Sequence, residues 1–300
     1  MNKLNDDELI QELSNRMSEN KRALEELKIL NLKLEKVNRK LEESETLKSH
    51  FISNISNEIV NPFTSILGLS RNILNVKKED WKRVLSMVAL IHSEAFSLDF
   101  QLKNIFAAAK IEAGEIYPEI GKVDMVSIIR SVTESFRVEA KKKGVTFILR
   151  FDLLPGMGSG FYFKTDPEKL KLILSNLISN AVKFSFEGGK ITVGVGYEMN
   201  QLFISVHDQG TYISNEFQEM IFDRFKRVDT SITSVNRGHG LGLSIVTSLL
   251  DLLDGDINFQ SDAEKGTTFI INIPESSEES DAFATSLNGN EIFFEDNQVF

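Results

Sequence analysis

Apolar residues recur at alternating spacings of three and four over residues 9–47, in a stretch that contains neither Gly nor Pro. This period is typical of a helix that packs along a partner helix, so we expect a coiled-coil stalk over residues 1–46. Asn20 occupies one position of the apolar seam, and the step from Leu27 to Leu30 is one residue short of a heptad. A dimerisation stalk fits these residues somewhat better than a helix that transmits a signal. The seam consists of Ile10, Leu13, Met17, Leu24, Leu27, Leu30, Leu34, Val37 and Leu41.

Two further helical segments follow at about residues 47–76 and 81–113, separated by a polar turn. Pro62 lies inside the first segment, where it removes one hydrogen bond and bends the helix. The second segment carries a broad apolar stripe. Because a hairpin of two helices cannot bury both of its apolar stripes, we expect residues 47–115 to form a four-helix bundle by homodimerisation. The stripe consists of Val84, Leu85, Val88, Ile91, Ala95, Leu98, Leu102, Ile105 and Phe106.

Beyond Gly114 the pattern changes to alternating helices and strands. It predicts an α/β domain over residues 116–275, with one sheet packed against helices. Residues 276–300 are polar and aperiodic, so we expect a mostly disordered acidic tail. The expected strands are residues 145–151, 190–197, 202–207, 256–261 and 267–273, and the expected helices are residues 125–143, 167–184, 215–222 and 241–253.

Composition narrows the possible functions. The 300 residues include no cysteine, which excludes disulfides, thiolate nucleophiles, cysteine-based zinc sites and iron–sulfur clusters. The chain has a net charge of −10, and residues 275–300 contain seven acidic residues and no Lys or Arg. The rest of the chain therefore carries a net charge of only −3, and we expect no nucleic-acid partner. No run of eighteen apolar residues and no signal peptide is found, which predicts a cytoplasmic chain without a membrane segment.

Four short motifs in the α/β domain carry possible chemistry. Glycines over residues 238–242 open a helix, where backbone N–H groups can approach phosphate oxygens, although a flexible turn would look the same. Asn176, Asn180 and Lys183 share one helical face at i, i+4 and i+7, which is either a binding face or a solvated one. Asp208 ends an apolar strand, and Thr267 begins the last strand.

Taken in order, these four motifs resemble the N, G1, G2 and G3 boxes of the ATP-binding domain of two-component sensor histidine kinases. Residues 221–229 resemble the F box and the start of the ATP lid. Residues 51–63 resemble the H box of the dimerisation helix, and residues 110–114 resemble its exit sequence. The resemblance covers about residues 47–274, and its specificity lies in the combination of motifs rather than in any one of them.

The resemblance implies a nucleotide site in this chain. Asn180 would bind Mg²⁺, with Asn176 and Lys183 near the phosphates of ATP. Asp208 would accept a hydrogen bond from the adenine amino group, and Phe184 would line the base pocket. The resemblance places the remaining positions around the base, the phosphates and the lid, namely Gly210, Arg227, Gly238, Gly240, Leu241, Gly242, Leu243 and Thr267.

The H box departs from the family pattern because Asn57 stands where the phospho-acceptor histidine belongs. A carboxamide nitrogen has no nucleophilic lone pair, so autophosphorylation at this position is blocked. His50 lies about 10 Å away along the helix and fits an ordinary stalk residue better than a substitute acceptor. Glu58 keeps the position of the family's general base, and Asn61 keeps that of the residue that positions water for receiver dephosphorylation; the alternative for both is a solvated polar residue.

Two other positions also differ from the pattern. Val60 replaces the customary arginine of the H box, and Tyr212 replaces the second glycine of the Asp-x-Gly-x-Gly motif. We expect the bulk of Tyr212 to restrict the backbone or to crowd the base pocket. Both differences favour natural divergence over an engineered substitution at Asn57.

These observations predict a signalling protein of the histidine kinase family. It would be a homodimer that binds Mg-ATP and a response-regulator receiver domain and could act as a receiver phosphatase. The main alternative is a non-catalytic scaffold that binds and regulates another histidine kinase or a regulator. An ordinary ATPase of the gyrase and chaperone class is a weaker alternative, because it leaves the stalk and the H-box region unexplained.

Overall fold

The computed structural model describes residues 6–77, 80–154, 160–218, 220–223 and 240–277. Its helical part consists of α1 (Asp6–Leu74), which contains Pro62, and α2 (Trp81–Ala113). Helix α2 ends at Gly114, whose φ of 68° is readily adopted only by glycine at a helix end. The predicted helical amino-terminal region is therefore confirmed, while the coiled coil and the four-helix bundle stay predictions.

Internal contacts divide the chain into two units, residues 1–53 and residues 54–300. In the first unit the apolar seam of α1 is exposed to solvent. Met17 is 73 % exposed and Leu24 is 58 % exposed. Such a row of exposed apolar side chains on one helix is energetically costly unless another surface covers it.

The α/β domain contains one mixed five-stranded sheet with the order β2-β4-β5-β7-β6. Strand β2 runs parallel to β4, and the other neighbouring strands are antiparallel. The strands are β2 (Thr146–Leu153), β4 (Lys190–Glu198), β5 (Gln201–Asp208), β6 (Asp256–Asp262) and β7 (Gly266–Pro274). All five predicted strands are confirmed to within two residues at each end.

Helices α3 (Met125–Ser135), α5 (Pro167–Phe184) and α7 (Gly242–Leu252) supply the helical layer. Buried and partly exposed residues alternate along β4, β5 and β7, so one face of each strand contributes to the core. Leu174 and Leu177 of α5 are fully buried, as are Ile204 of β5 and Ile271 of β7. The predicted layer of helices on one sheet is thus confirmed.

Three details differ from the sequence expectation. A second sheet pairs β1 (Gly121–Asp124) with β3 (Tyr162–Thr165), and neither strand was predicted because four residues are too few to establish a period. The helix expected over residues 125–143 is interrupted at Phe136, whose φ and ψ of −92° and 6° end α3 before α4 begins. The helix expected over residues 215–222 is the single turn α6.

Helix α4 spans Arg137–Lys142 and α6 spans Asn215–Gln218. The tail expected over residues 276–300 lies outside the described residues from residue 278 onward. Among the helices of the described ranges, none combines the length and the apolar character that crossing a membrane requires.

Candidate nucleotide-binding site

Asp208 is a buried residue at the end of β5, in the middle of the sheet. Only 4 % of its surface is exposed, and it lies in register with Ile191 of β4 and with Thr267 of β7. Its Oδ1 atom makes no hydrogen bond within the part of the chain that the structure describes. Burial raises the pKa of Asp208 to about 7, while the charge of Lys143 opposes the rise. Asp208 therefore offers an acceptor that has no donor among the residues described.

Lys143 places a cation next to this carboxyl group. It follows α4 directly, and its Nζ donates hydrogen bonds to the carbonyl oxygens of Val182 at 3.1 Å and Lys183 at 2.5 Å. These carbonyls belong to the last turn of α5, where the helix dipole favours a positive charge. Burial lowers the pKa of Lys143, and Asp208 acts in the opposite direction. The sequence analysis did not identify Lys143 as part of the site.

Two glycines allow the backbone to pass close to Asp208. A Cβ atom on Gly210 would overlap the carbonyl oxygen of Phe184 and would lie 2.6 Å from Asp208 Oδ1. Gly266 has a φ of 89°, and a Cβ atom there would overlap the carbonyl oxygen of Asp208. Both positions therefore require glycine, because the backbone there passes too close to Asp208 and Phe184 for a side chain.

Two constraints act on Gly266, namely backbone strain from its positive φ and steric overlap with Asp208. A stability measurement can separate them. Gly188 also has a positive φ, of 75°, but a Cβ atom there would meet nothing within 4 Å. We expect Gly188→Ala to cost about 1 kcal/mol of unfolding free energy from backbone strain alone. Gly266→Ala should cost at least about 3 kcal/mol because steric overlap is added to the strain. Denaturant unfolding of both variants measures the difference, and equal losses would contradict this account of Gly266.

The segment that follows Asp208 is fixed by hydroxyl groups. Ser261 Oγ accepts a hydrogen bond from the N–H of Ile213 at 2.9 Å and lies 2.8 Å from Thr267 Oγ1. Thr267 in turn donates to the carbonyl oxygen of Thr211 at 3.4 Å. Thr267 is 3 % exposed, so in this arrangement it supports the segment rather than lining an open surface.

Tyr212 lies in that supported segment with 39 % of its surface exposed. Its φ is not positive, since Met199, Asn200 and Asp254 are the non-glycine residues with positive φ among those described. The expected backbone restriction therefore does not arise, because the geometry at this position does not need glycine. That the Tyr212 ring crowds the base pocket stays a prediction.

The predicted amide side chains on the face of α5 differ in their exposure to solvent. Asn176 is only 3 % exposed, and its Nδ2 donates to Asn104 Oδ1 on α2 at 2.7 Å and to the carbonyl oxygen of Leu172 at 2.9 Å. Asn180 lies one turn further along and is half-buried. Asn176 thus lies in a packed helix contact, which the sequence pattern did not reveal.

The end of α5 presents the other two predicted residues. Lys183 Nζ lies 5.1 Å from the centroid of the Phe184 ring, in a cation–π arrangement. Phe184 is 38 % exposed, and its carbonyl oxygen accepts a hydrogen bond from Thr211 N–H at 3.1 Å. The ring therefore lies at the same end of the sheet as the segment that follows Asp208.

Helix α7 begins next to α5. Gly240 has a φ of 68°, Leu241 is the N-cap residue and makes no side-chain cap, and Gly242 starts the helix. The oxygen of Asn176 lies 2.8 Å from where a Cβ atom on Gly242 would stand, so the two helices approach closely there. Leu241 is buried and Leu243 is half-buried. The first backbone N–H groups of a helix have no partner within it and favour an anion.

Several predicted residues are placed only in part. Arg227 and Gly238 lie outside the described residues. Asn57, Glu58 and Asn61 all lie in α1, and Asn61 is exposed, but the side chains of the other two are outside the description.

The described residues fit an adenine nucleotide. A buried carboxyl oxygen that has no donor among the described residues suits an exocyclic amino group, and Gly210 adds no side chain beside it. The amino-terminal end of α7 suits phosphate oxygens. The described residues thus combine a buried acceptor at one end of the sheet with a helix start that favours an anion.

Comparison with known proteins agrees with this interpretation. The family model of histidine kinase-, DNA gyrase B-, and HSP90-like ATPases matches residues 165–277. The chain is similar to the sensor protein EvgS of Escherichia coli strain K12, with 32 % identity over 76 % of this chain and 19 % of EvgS. It is also similar to the autoinducer 2 sensor kinase/phosphatase LuxQ of Vibrio parahaemolyticus, with 30 % identity over 79 % of this chain and 27 % of LuxQ.

Among solved structures, full-length ShkA in complex with AMPPNP matches with a TM-score of 0.52 and 24 % identity, over 79 % of this chain and 47 % of that chain. This likeness shows the fold. The present chain spans less than a third of the length of the curated relatives that it matches.

Proposed function

The chain belongs to the two-component sensor histidine kinase family, and from that premise we propose that it is a signal-transduction protein that binds Mg-ATP and a response-regulator receiver domain. The observation that carries nucleotide binding is the buried Asp208 Oδ1, which finds no donor among the described residues. An unpaired buried acceptor costs about 1–3 kcal/mol, which a ligand that donates a hydrogen bond recovers. The adenine amino group is such a donor.

Each part of the nucleotide has a proposed partner. Asp208 orients the base, Phe184 lines the base pocket, and Gly210 adds no side chain that would crowd the carboxylate. The N–H groups at the start of α7, over residues 240–243, hold phosphate oxygens. Bound Mg²⁺ neutralises charge on the phosphates, and the side-chain oxygen of Asn180 is its proposed protein ligand.

Phosphoryl transfer to the chain itself is blocked at the H box. Asn57 lacks the nucleophilic nitrogen of a histidine, so bound ATP has no acceptor at this position. Glu58 and Asn61 remain, and an exposed Asn61 is suited to positioning water against a receiver's aspartyl phosphate. We therefore propose receiver phosphatase activity, which the name of the relative LuxQ also contains. A receiver whose phosphate lifetime is unchanged by this protein would contradict this activity.

We propose that two copies associate through the helical region. The seam of α1 is exposed from Ile10 to Leu41, and Val60, Phe63 and Leu67 are more than half exposed further along the same helix. A second copy is the simplest partner, because identical helices present matching apolar faces. A sedimentation mass of one chain at micromolar concentration would contradict the dimer.

The experiment that tests the proposal is calorimetric titration of the whole chain with ATP in the presence of Mg²⁺. We expect saturable binding of one nucleotide per chain, because each chain contains one site. Absence of binding would favour the alternative, a scaffold that binds another histidine kinase or a regulator without using ATP. Steady release of phosphate from free ATP, with the receiver absent, would instead favour an ordinary ATPase.

A further inference from the structure

Ser185 follows the last residue of α5 and is almost completely buried. Only 2 % of its surface is exposed, and its Oγ atom makes no hydrogen bond within the part of the chain that the structure describes. A hydroxyl group can donate one hydrogen bond and accept others, so its burial without a partner costs free energy. Ser185 therefore needs a partner from outside the described residues.

The hydroxyl group of Ser185 lies beside the unpaired carboxyl oxygen of Asp208. An isolated antiparallel bridge pairs Ser185 with Gly210. Residues that oppose each other in such a pair direct their Cβ atoms to the same side, about 4.5–5.5 Å apart. A Cβ atom on Gly210 would lie 2.6 Å from Asp208 Oδ1. The Cβ atom of Ser185 therefore lies within about 8 Å of that oxygen, on the same side of the bridge.

Backbone hydrogen bonds fix the position of Ser185 on both sides. Its own N–H donates to the carbonyl oxygen of Ala181 at 3.0 Å, and the N–H of Phe186 donates to the carbonyl oxygen of Gln209 at 2.9 Å. The second bond joins the residue after Ser185 to the residue after Asp208. Because both segments are held in this way, the hydroxyl and the carboxyl group keep a constant separation, which suits the recognition of two atoms of one ligand.

Ser185 supplies the hydrogen-bond donor that an ionised Asp208 lacks. Of the buried polar atoms without a partner among the described residues, Ser185 Oγ and Thr165 Oγ1 belong to hydroxyl groups, and the others are carboxyl or amide oxygens. Helix α5 has 18 residues and begins two residues after Thr165. The two hydroxyl groups are therefore separated by about 27 Å, and it is Ser185 that lies on the side of Asp208.

We propose that the Ser185 hydroxyl donates a hydrogen bond to a ring nitrogen of the adenine base, directly or through one bridging water. The edge of adenine presents its amino group next to ring nitrogens that accept hydrogen bonds. Asp208 accepts from the amino group, so the neighbouring ring nitrogen requires a donor, and Ser185 provides one. The inference rests on the proposed ATP binding and adds a second residue that recognises the base.

Removing the hydroxyl group distinguishes a ligand contact from a structural role. We expect Ser185→Ala to bind Mg-ATP about three- to tenfold more weakly at pH 8, because one hydrogen bond to the base is lost. Without nucleotide, its unfolding free energy should be equal to that of the unchanged chain or higher, because an unpaired buried hydroxyl has been removed. Calorimetric titration and denaturant unfolding measure the two effects. A loss of stability in Ser185→Ala would indicate a structural role and overturn the proposal.

Thr165→Val is the matched control. It also removes a buried hydroxyl group that has no partner among the described residues, but it does so near the other end of α5. We expect this variant to bind Mg-ATP with the affinity of the unchanged chain. Equal weakening by Thr165→Val and Ser185→Ala would contradict a contact specific to Ser185.

A nucleotide without the amino group separates the roles of Ser185 and Asp208. Purine riboside triphosphate keeps the ring nitrogens of ATP and lacks its amino group. We expect Ser185→Ala to weaken the binding of this nucleotide by the same factor as the binding of ATP, whereas Asp208→Asn should weaken only the binding of ATP. A weakening by Ser185→Ala that is confined to ATP would overturn the assignment of Ser185 to a ring nitrogen.

Failure of this inference can be distinguished from failure of the proposed function. If Ser185→Ala and the unchanged chain bind Mg-ATP with equal affinity, the inference is overturned and the proposed function stays intact. Absence of Mg-ATP binding by the unchanged chain would overturn both.

Discussion

Replacing Asn57 with histidine is expected to convert a chain that takes no phosphate from γ-labelled Mg-ATP into one that becomes labelled. The substitution supplies an imidazole nitrogen where the carboxamide has no nucleophilic lone pair. Glu58, the next residue, keeps the position that the resemblance assigns to a general base, so the H box would then contain both groups that the transfer needs. Acid-labile, base-stable label on the variant, measured after separation from free nucleotide, checks the expectation.

Asn54→His is the matched control for this experiment. Asn54 lies three residues earlier in α1, on nearly the same side of the helix, but it is not followed by a carboxylate. We expect no label on this control. Label on the unchanged chain would reveal another acceptor, with His50 tested first. Label on neither Asn57→His nor the unchanged chain, despite ATP binding, would mean that the ATP-binding domain no longer supports transfer.

Most of the α/β domain could be predicted from the sequence because its strands and helices are long enough to show a period. Strand β5, for example, alternates fully buried and partly exposed residues through Leu202, Ile204 and Val206. Strands β1 and β3 have four residues each and show no such period. The interruption at Phe136 was also not predicted, because local helix propensity does not show that this ring will pack against a distant helix.

In the candidate site too, some residues could be identified from local sequence and others depend on tertiary packing. Asp208, Gly210 and Gly242 could be identified because carboxylate and glycine positions are tied to local turns and ends of elements. Asn176 lies on the predicted helical face, but its contact with Asn104 of α2 was not predicted, since periodicity gives the face and not what lies opposite. Lys143 was missed because its proximity to Asp208 arises from tertiary packing.

The face of α2 that contacts Asn176 and Phe136 has a sequence pattern of its own, which is less obvious than the apolar stripe. Ser93, Phe96, Phe100, Asn104 and Ala107 follow one another at spacings of three or four, on a side of α2 distinct from the predicted stripe. Two phenylalanines outside the predicted stripe are an indication of a second packed surface. A helix with two such faces can contact a helical partner and a catalytic domain together.

The second large effect concerns the pH dependence of ATP binding. Because the adenine amino group donates, Asp208 binds it best as a carboxylate, and with a pKa of about 7 it is mostly protonated at pH 6 and mostly ionised at pH 8. We expect the Mg-ATP affinity to rise about tenfold between pH 6 and pH 8 as this group ionises. Asp208→Asn should bind about tenfold more weakly at pH 8, having lost a charge-assisted hydrogen bond. Titrations of both proteins at each pH check this.

The variant also removes an ambiguity in the titration, because the terminal phosphate of ATP ionises in the same pH range. That contribution is common to both proteins, so only the difference between their profiles reports Asp208. A rise of equal size in Asp208→Asn would contradict the assignment of Asp208 to the base.

Unfolding measurements without nucleotide provide an independent check of the raised pKa of Asp208, because the direction of the change in stability with pH follows from it. Because burial raises the pKa of Asp208 from 3.8 to about 7, the folded state binds its proton more tightly than the unfolded state does. The associated stability is present below pH 4 and is lost as the pH rises through 7. At pH 8 the charged form costs the folded chain up to about 4 kcal/mol, so Asp208→Asn should be more stable there although it binds ATP more weakly. A variant that lost both stability and affinity at pH 8 would point to a structural role for Asp208 instead of the proposed contact with the base.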